Sequence, residues 1–390
     1  MSRFHSYLSS AAKLVDSYSK GSPLVHHLKK FFSEAKKYGS RDRKMIATLC
    51  YHYFRVARAL PAEQSTQQKI IHSLFLCEKE PVEILAVLDP SLNEQVSLPV
   101  KKKLAMLGIG PEGIFPFSNE TGDGIDVPSF ILSLFSQPAV YLRTRPGKMG
   151  KVTGELEKAG ISADKLECNC IKVPNATALD KVIRINKDVV IQDRNSQRVF
   201  DLISKDPALF SRSNATTVWD CCAASGGKAL LLYDLLGGDC KLTVSDVRPN
   251  ILLNLKQRLQ QAGIPIYKNF TADLSLRSGL SADDRFDLIT CDAPCTGSGT
   301  WARTPEQLFS FKHSAIDEFA LKQQQIVSAV IPHLGDNGIF FYITCSVFKR
   351  ENEGIAGYIK EKFHLQLLQM EYLNGYNEAA DTMFVAAFRK

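Results

Sequence analysis

The sequence predicts an α/β protein whose second half is a doubly wound sheet, preceded by a small α+β module and an all-α segment. Three observations predict it. From about residue 206, short β-branched runs alternate with helical stretches; the runs end at or near aspartates; and a small-residue loop, Cys222-Ala223-Ala224-Ser225-Gly226-Gly227-Lys228, stands where the first run yields to a helix.

Residues 1–125 carry apolar positions at three- and four-residue steps, as in Met45, Ile46, Leu49, Cys50 and Tyr53, so a helical bundle is expected there. Ser40 with Asp42 and Arg43 suits a helix start, and Pro61, Pro81 and Pro90 separate later helices. The polar run 118–126 reads as a linker. Between 131 and 205 the texture changes: 139–145 reads as a strand, 151–159 as a helix ended by Gly160, and 170–173 as a strand. Arg143 and Arg145 on the first of these suit a sheet that faces RNA, and equally suit the polar side of a half-buried strand. In 206–390, strands ending at Asp220, Asp246 and Asp292, and one shortly before Asp273, alternate with helices at 227–236, 249–262, 315–333 and 351–362. Ligands of such sheets bind beyond the carboxyl ends of the strands, where these acids fall.

Composition is that of a folded protein: 390 residues, 45% hydrophobic and 23% charged. No run approaches the roughly 18 apolar residues of a membrane span, and the N-terminus lacks a signal core, so a cytoplasmic protein without a membrane partner is expected. The ten cysteines lack the paired C-x-x-C spacing of a zinc site; reduced thiols and no metal are expected. Net charge is +7, unevenly spread: residues 1–60 hold 12 Lys and Arg against 3 Asp and Glu, whereas 206–390 hold 18 against 20. Basic segments interleaved with aromatics suit a polyanion, though solvated helix faces account for many such runs.

Two strands break at thiols. The run 286–291 ends at Asp292-Ala293-Pro294-Cys295, and 338–344 ends at Cys345 within Thr344-Cys345-Ser346. Pro294, Gly297 and Gly299 stop the first strand. The loop 222–228 is not the G-x-G-x-x-G dinucleotide fingerprint, yet Asp246 follows Gly226 by about the interval at which a carboxylate meets a ribose. An adenosyl cofactor beside thiols suggests S-adenosylmethionine (SAM) and methylation of a carbon that cannot attack unaided, such as pyrimidine C5. A thiolate adding to C6 would make C5 nucleophilic, with Asp292 as the assisting acid and the two cysteines as candidates for adduct formation and release.

The series Asp220–Lys228, Asp292-Ala293-Pro294-Cys295 and Thr344-Cys345-Ser346 resembles the motifs of the RNA (cytosine-5)-methyltransferases of the Sun/Fmu type. The likeness covers about 131–390, including Gln192-Asp193-x-x-Ser196-Gln197 and Phe384-Val385-x-Ala387. It implies a Rossmann-like SAM-dependent domain in which Cys345 is the nucleophile and Cys295 assists release. The implied cofactor contacts are Cys222, Ala223, Ala224, Ser225, Gly226, Gly227, Lys228, Asp246, Asp273 and Asp292. The chain departs at Ser225, where that family has proline, which would relax the loop, and near Asn250, where it has a basic residue. Gly39–Arg43 and Cys50–Arg55 resemble the NusB-like RNA-binding domain of the ribosomal RNA small-subunit methyltransferase B family, which implies 16S ribosomal RNA as substrate. A monomer is expected. The alternatives are transfer RNA as substrate, or a non-catalytic RNA-binding ribosome-assembly factor; the intact Asp292, Cys295 and Cys345 argue against the latter.

Overall fold

The computed structural model describes residues 2–19, 21–175, 177–210 and 215–390. The chain forms two units: Met1–Thr121 with Asp126–Gln137 and Thr300–His313, and Gly122–Ile125 with Pro138–Gly299 and Ser314–Lys390. None of the described helices is long and apolar enough to cross a membrane.

The first unit is helical, built on Arg3–Asp16, Leu24–Glu34, Ser40–Val56 and Thr66–Cys77. The third helix begins at Ser40 because Asp42 Oδ2 accepts the Gly39 N–H at 2.8 Å, which satisfies an end-group donor. The unit reaches past the expected linker, since Arg55 donates to Leu134 O (2.8 Å) and to Gln137 Oε1 (2.7 Å). It also takes 300–313, a stretch expected with the last domain. Aromatic packing explains the difference: Phe309 meets Tyr53 and Phe54 at centroid distances of 5.9 and 5.3 Å, and Phe311 meets Phe117 at 5.0 Å. Lys29, Lys30, Lys36, Lys37, Arg41, Arg43 and Lys44 are exposed on this unit.

In the second unit, strands β1 (Val140–Thr144), β2 (Asp164–Lys165), β3 (Cys170–Val173) and β4 (Val189–Ile191) form a sheet in the order β2-β3-β1-β4. Arg143 and Arg145 do not face outward from it. Both pair with Asp234, at 2.6 and 2.7 Å, and their side chains are 5% and 13% exposed. A buried guanidinium needs a compensating charge, and Asp234 on helix Gly227–Leu235 supplies it.

The larger sheet comprises β5 (Thr216–Asp220), β6 (Cys240–Asp246), β7 (Lys268–Thr271), β8 (Phe286–Asp292), β9 (Leu334–Thr344), β10 (Gln366–Leu373) and β11 (Met383–Arg389). Its order is β10-β11-β9-β8-β5-β6-β7, parallel from β9 through β7 and antiparallel at β11 and β10. Alternation sends Ile339, Phe341 and Ile343 of β9 into one core and Phe340 and Tyr342 into the other, so both faces are covered. The winding reverses between β5 and β8, and the loops after these two strands flank the switch point.

Candidate active site

Between the switch point and β6 lies a cavity of about 380 Å³. Its walls include Cys221, Cys222, Ala224, Asp246, Asp273 and Asp292 from strand ends, with Val247, Leu274 and Ile326 as apolar sides. Of the residues expected to hold a cofactor, Cys222, Ala224, Asp246, Asp273 and Asp292 line it; Ala223, Ser225, Gly226, Gly227 and Lys228 build the loop that shapes it. Ala224 sits at φ +43° and Gly226 at +80°, left-handed positions that turn the strand into helix Gly227–Leu235. The turn directs Ala224 N–H onto Asp246 Oδ2 at 3.0 Å.

Asp246 is already well supplied with donors. Arg248 N and Nε lie 2.9 Å from Oδ1, and Nη2 lies 3.2 Å from Oδ2. Burial acts to raise its pKa, but the Arg248 hydrogen bonds and charge outweigh that and hold the carboxyl below its usual range. Asp273 is exposed and accepts from Ser275 N (3.0 Å) and Oγ (2.6 Å). The set fits an adenosyl ligand: strand-end carboxylates for hydroxyls and apolar walls for a ring. Ser225 is not slack without the proline, because Arg258 Nη1 donates to its carbonyl (3.1 Å) and its Oγ (3.0 Å). Sequence reasoning missed Arg248 and Arg258; nothing in their spacing marks them.

On the other side of the switch point the two thiols meet. Cys295 Sγ and Cys345 Sγ are 3.4 Å apart, brought together because β8 and β9 are parallel neighbours that break level with each other. Hydrogen bonding to Cys345, reinforced by burial, pushes the Cys295 pKa well up, so Cys295 keeps its proton. Lys228 Nζ reaches Asp292 Oδ2 at 2.6 Å. Burial opposes the lysine's charge, but Asp292 outweighs it and raises the Lys228 pKa. Asp220, wholly buried, has its pKa pushed well up by burial and then by the Asp292 charge.

Glu351, fully buried, was also missed. It accepts from Thr296 N (2.9 Å), Thr296 Oγ1 (2.6 Å), Gln323 Nε2 (3.1 Å) and Ser346 Oγ. Thr296 follows one thiol and Ser346 the other, so one carboxylate ties both loops. The signal was the pair of acids Glu351 and Glu353 a short loop beyond the thiol-ending strand, which helical periodicity absorbed as a helix start. Gly299 completes the contact: its N–H donates to Cys345 O at 2.8 Å, and a Cβ there would lie 2.1 Å from Thr382 O.

A parallel sheet that reverses at β5 and β8, with a small-residue loop and strand-end acids at the reversal, defines a Rossmann-like methyltransferase fold. Residues 207–388 match the family model described as 16S rRNA methyltransferase RsmB/F. Curated relatives include ribosomal RNA small subunit methyltransferase B of Proteus mirabilis, 28% identical over 56% of this chain and 50% of the relative. The protein of the same name from Yersinia pseudotuberculosis is 30% identical over 46% and 40%. The chain thus spans about half the length of the curated relatives it matches. The fold is shared with the crystal structure of PH0851 (TM-score 0.71, 17% identity, 98% of each chain covered). It is shared as well with NSun6 from Pyrococcus horikoshii with SFG (TM-score 0.60, 16% identity, 70% of this chain and 96% of that one).

Proposed function

We propose that the protein methylates cytosine C5 in RNA, with SAM as methyl donor and small-subunit ribosomal RNA as substrate. The observation that carries this reading is the 3.4 Å approach of Cys295 and Cys345 on the loops beyond Asp292, which is itself paired with Lys228. The curated relatives bear the name of ribosomal RNA methyltransferases, which supports the substrate, and the exposed lysines and arginines of the helical unit suit a phosphate backbone.

When bound, SAM supplies an electrophilic methyl group. Asp246 would accept from its ribose hydroxyls, with Arg248 giving way, while Leu274 and Ile326 would flank its base. Cys345 Sγ adds to C6 of the cytosine, and the electron pair of the C5–C6 double bond moves toward N3. Asp292, paired with Lys228, would assist at N3 as that charge develops. C5, made enamine-like by the Cys345 bond, would then be the nucleophile for that methyl group. Once N3 has returned its proton, transfer of the C5 proton to water re-forms the double bond and expels the Cys345 thiolate. Cys295, the group beside the breaking bond and still protonated, assists that release.

The test uses RNA, tritiated SAM and denaturing gels. Cys345→Ala should transfer no methyl and form no adduct. Cys295→Ala should form the Cys345 adduct, accept the methyl and accumulate a protein–RNA species. An adduct that persists in Cys345→Ala and vanishes in Cys295→Ala reverses the roles. Methyl transfer by Cys345→Ala at the wild-type rate overturns the covalent mechanism.

A further inference from the structure

The adjacent cysteines 221 and 222 have no C-x-x-C partner in sequence, but the fold gives them a third thiol. Cys221 N–H donates to Thr290 O at 3.0 Å, which sets the end of β5 against β8 at Cys291. The sulfurs of Cys221, Cys222 and Cys291 all lie within 4.8 Å of one another. None is in a disulfide. Three thiolates around one ion at a metal–sulfur distance of about 2.3 Å stand about 4 Å apart, so rotamer adjustments of under about 1 Å would close the set. The donors are all sulfur, a chemistry that selects soft ions such as Cu⁺ and Zn²⁺ over hard oxygen-seeking ones.

Access separates this trio from a sealed cluster of core thiols. Cys291 and Cys221 are buried, while Cys222 is half-buried, and both Cys221 and Cys222 line the 380 Å³ cavity. An ion entering from that cavity would therefore pass where a ligand in it would sit. We propose that Cys221, Cys222 and Cys291 form a three-thiolate site for a soft metal ion on the wall of the cofactor cavity, and that a bound cofactor shields it. The site stands on its own geometry; the shielding rests on the cofactor reading above.

The test titrates Cd²⁺, a soft probe ion, into the full chain, kept reduced with a phosphine and freed of metal. The background is Cys295→Ser with Cys345→Ser, which removes the other close sulfur pair. One equivalent per chain should bind, read by the thiolate-to-metal charge-transfer band in the ultraviolet. Cys291→Ala and, separately, Cys222→Ala should reduce affinity at least tenfold. Circular dichroism checks the fold of each, and the half-buried Cys222 carries the test if Cys291→Ala does not fold. A stoichiometric band that survives both substitutions, or no band in the background protein, overturns the site. Calorimetry then establishes whether SAM binds at all, which judges the cofactor reading separately. SAM that binds should slow Cd²⁺ uptake at least tenfold; binding without protection overturns the shielding.

Discussion

The two sides of the switch point are held in opposite ways. On the thiol side, Glu351 is 0% exposed and gathers its donors from inside the protein, so Cys295 and Cys345 are fixed by bonds that no ligand must replace. On the cofactor side, Asp246 is met by an Arg248 whose side chain is 55% exposed, and Asp273 stands in solvent. The difference separates positioning from reception. A buried, fully donated carboxylate gives a fixed geometry, whereas a carboxylate capped by an exposed cation can exchange partners when a ligand arrives.

The comparison is broken most severely at Glu351. Replacing it with alanine strands the Thr296 and Ser346 donors, each at a cost of about 1–3 kcal/mol, so a destabilisation of roughly 3 kcal/mol or more is expected. Methyl transfer should fall at least a hundredfold while SAM affinity in the folded fraction stays within threefold. Urea unfolding, calorimetry and single-turnover transfer measure the three quantities, and wild-type turnover in Glu351→Ala would refute the positioning role.

Asp246→Ala should do the reverse, sparing stability and weakening SAM. Losing charge-assisted hydrogen bonds of about 1.5–3 kcal/mol corresponds to roughly 10- to 150-fold in affinity. Unchanged SAM binding by calorimetry in the folded variant would remove Asp246 from the cofactor site.

The sulfur pair gives a smaller, pH-dependent effect. Cys345 is the first cause of the raised Cys295 pKa and burial the second, so Cys295 stays protonated through and above the ordinary thiol range near 9. Only the thiolate alkylates. In Cys345→Ala the main cause is gone, and the Cys295 reaction with iodoacetamide should move to lower pH, becoming several-fold faster at pH 8. Peptide mapping reads this directly, and an unshifted profile would mean that Cys345 does not control the Cys295 proton.

The smallest effect is expected at Arg248. It occupies acceptor positions on Asp246 that ribose hydroxyls would use, so Arg248→Ala should leave SAM affinity within about threefold of wild type or tighten it. A loss comparable to that of Asp246→Ala would make Arg248 a direct ligand contact.

Much of the candidate site was legible because its signals are local. β-Branched and aromatic runs placed Asp292, Cys295 and Cys345 at or just beyond strand ends, the first strand stopped by proline and glycine, since propensity and chain breaking act over a few residues. The loop 222–228 and its helix were read the same way. Arg143 and Arg145 were not, because alternation along a strand does not reveal which neighbour covers a face; Asp234, about 90 residues on, turned a surface into a buried pair. The stretch 300–313 follows an active-site loop in sequence but packs in the helical unit, where its aromatic rings find partners.

By itself, then, the sequence determined most of the elements that carry the site and the residue types at their strand ends, because hydrophobic period and turn chemistry are properties of short segments. Only the tertiary structure decided which ends adjoin. Strand order brings Cys295 to 3.4 Å from Cys345 across 50 residues of chain, sets Cys291 beside Cys221 and Cys222, and carries Lys228 to Asp292. Such pairings depend on burying whole sheet faces against helices, a free energy summed over the fold rather than carried by any local pattern.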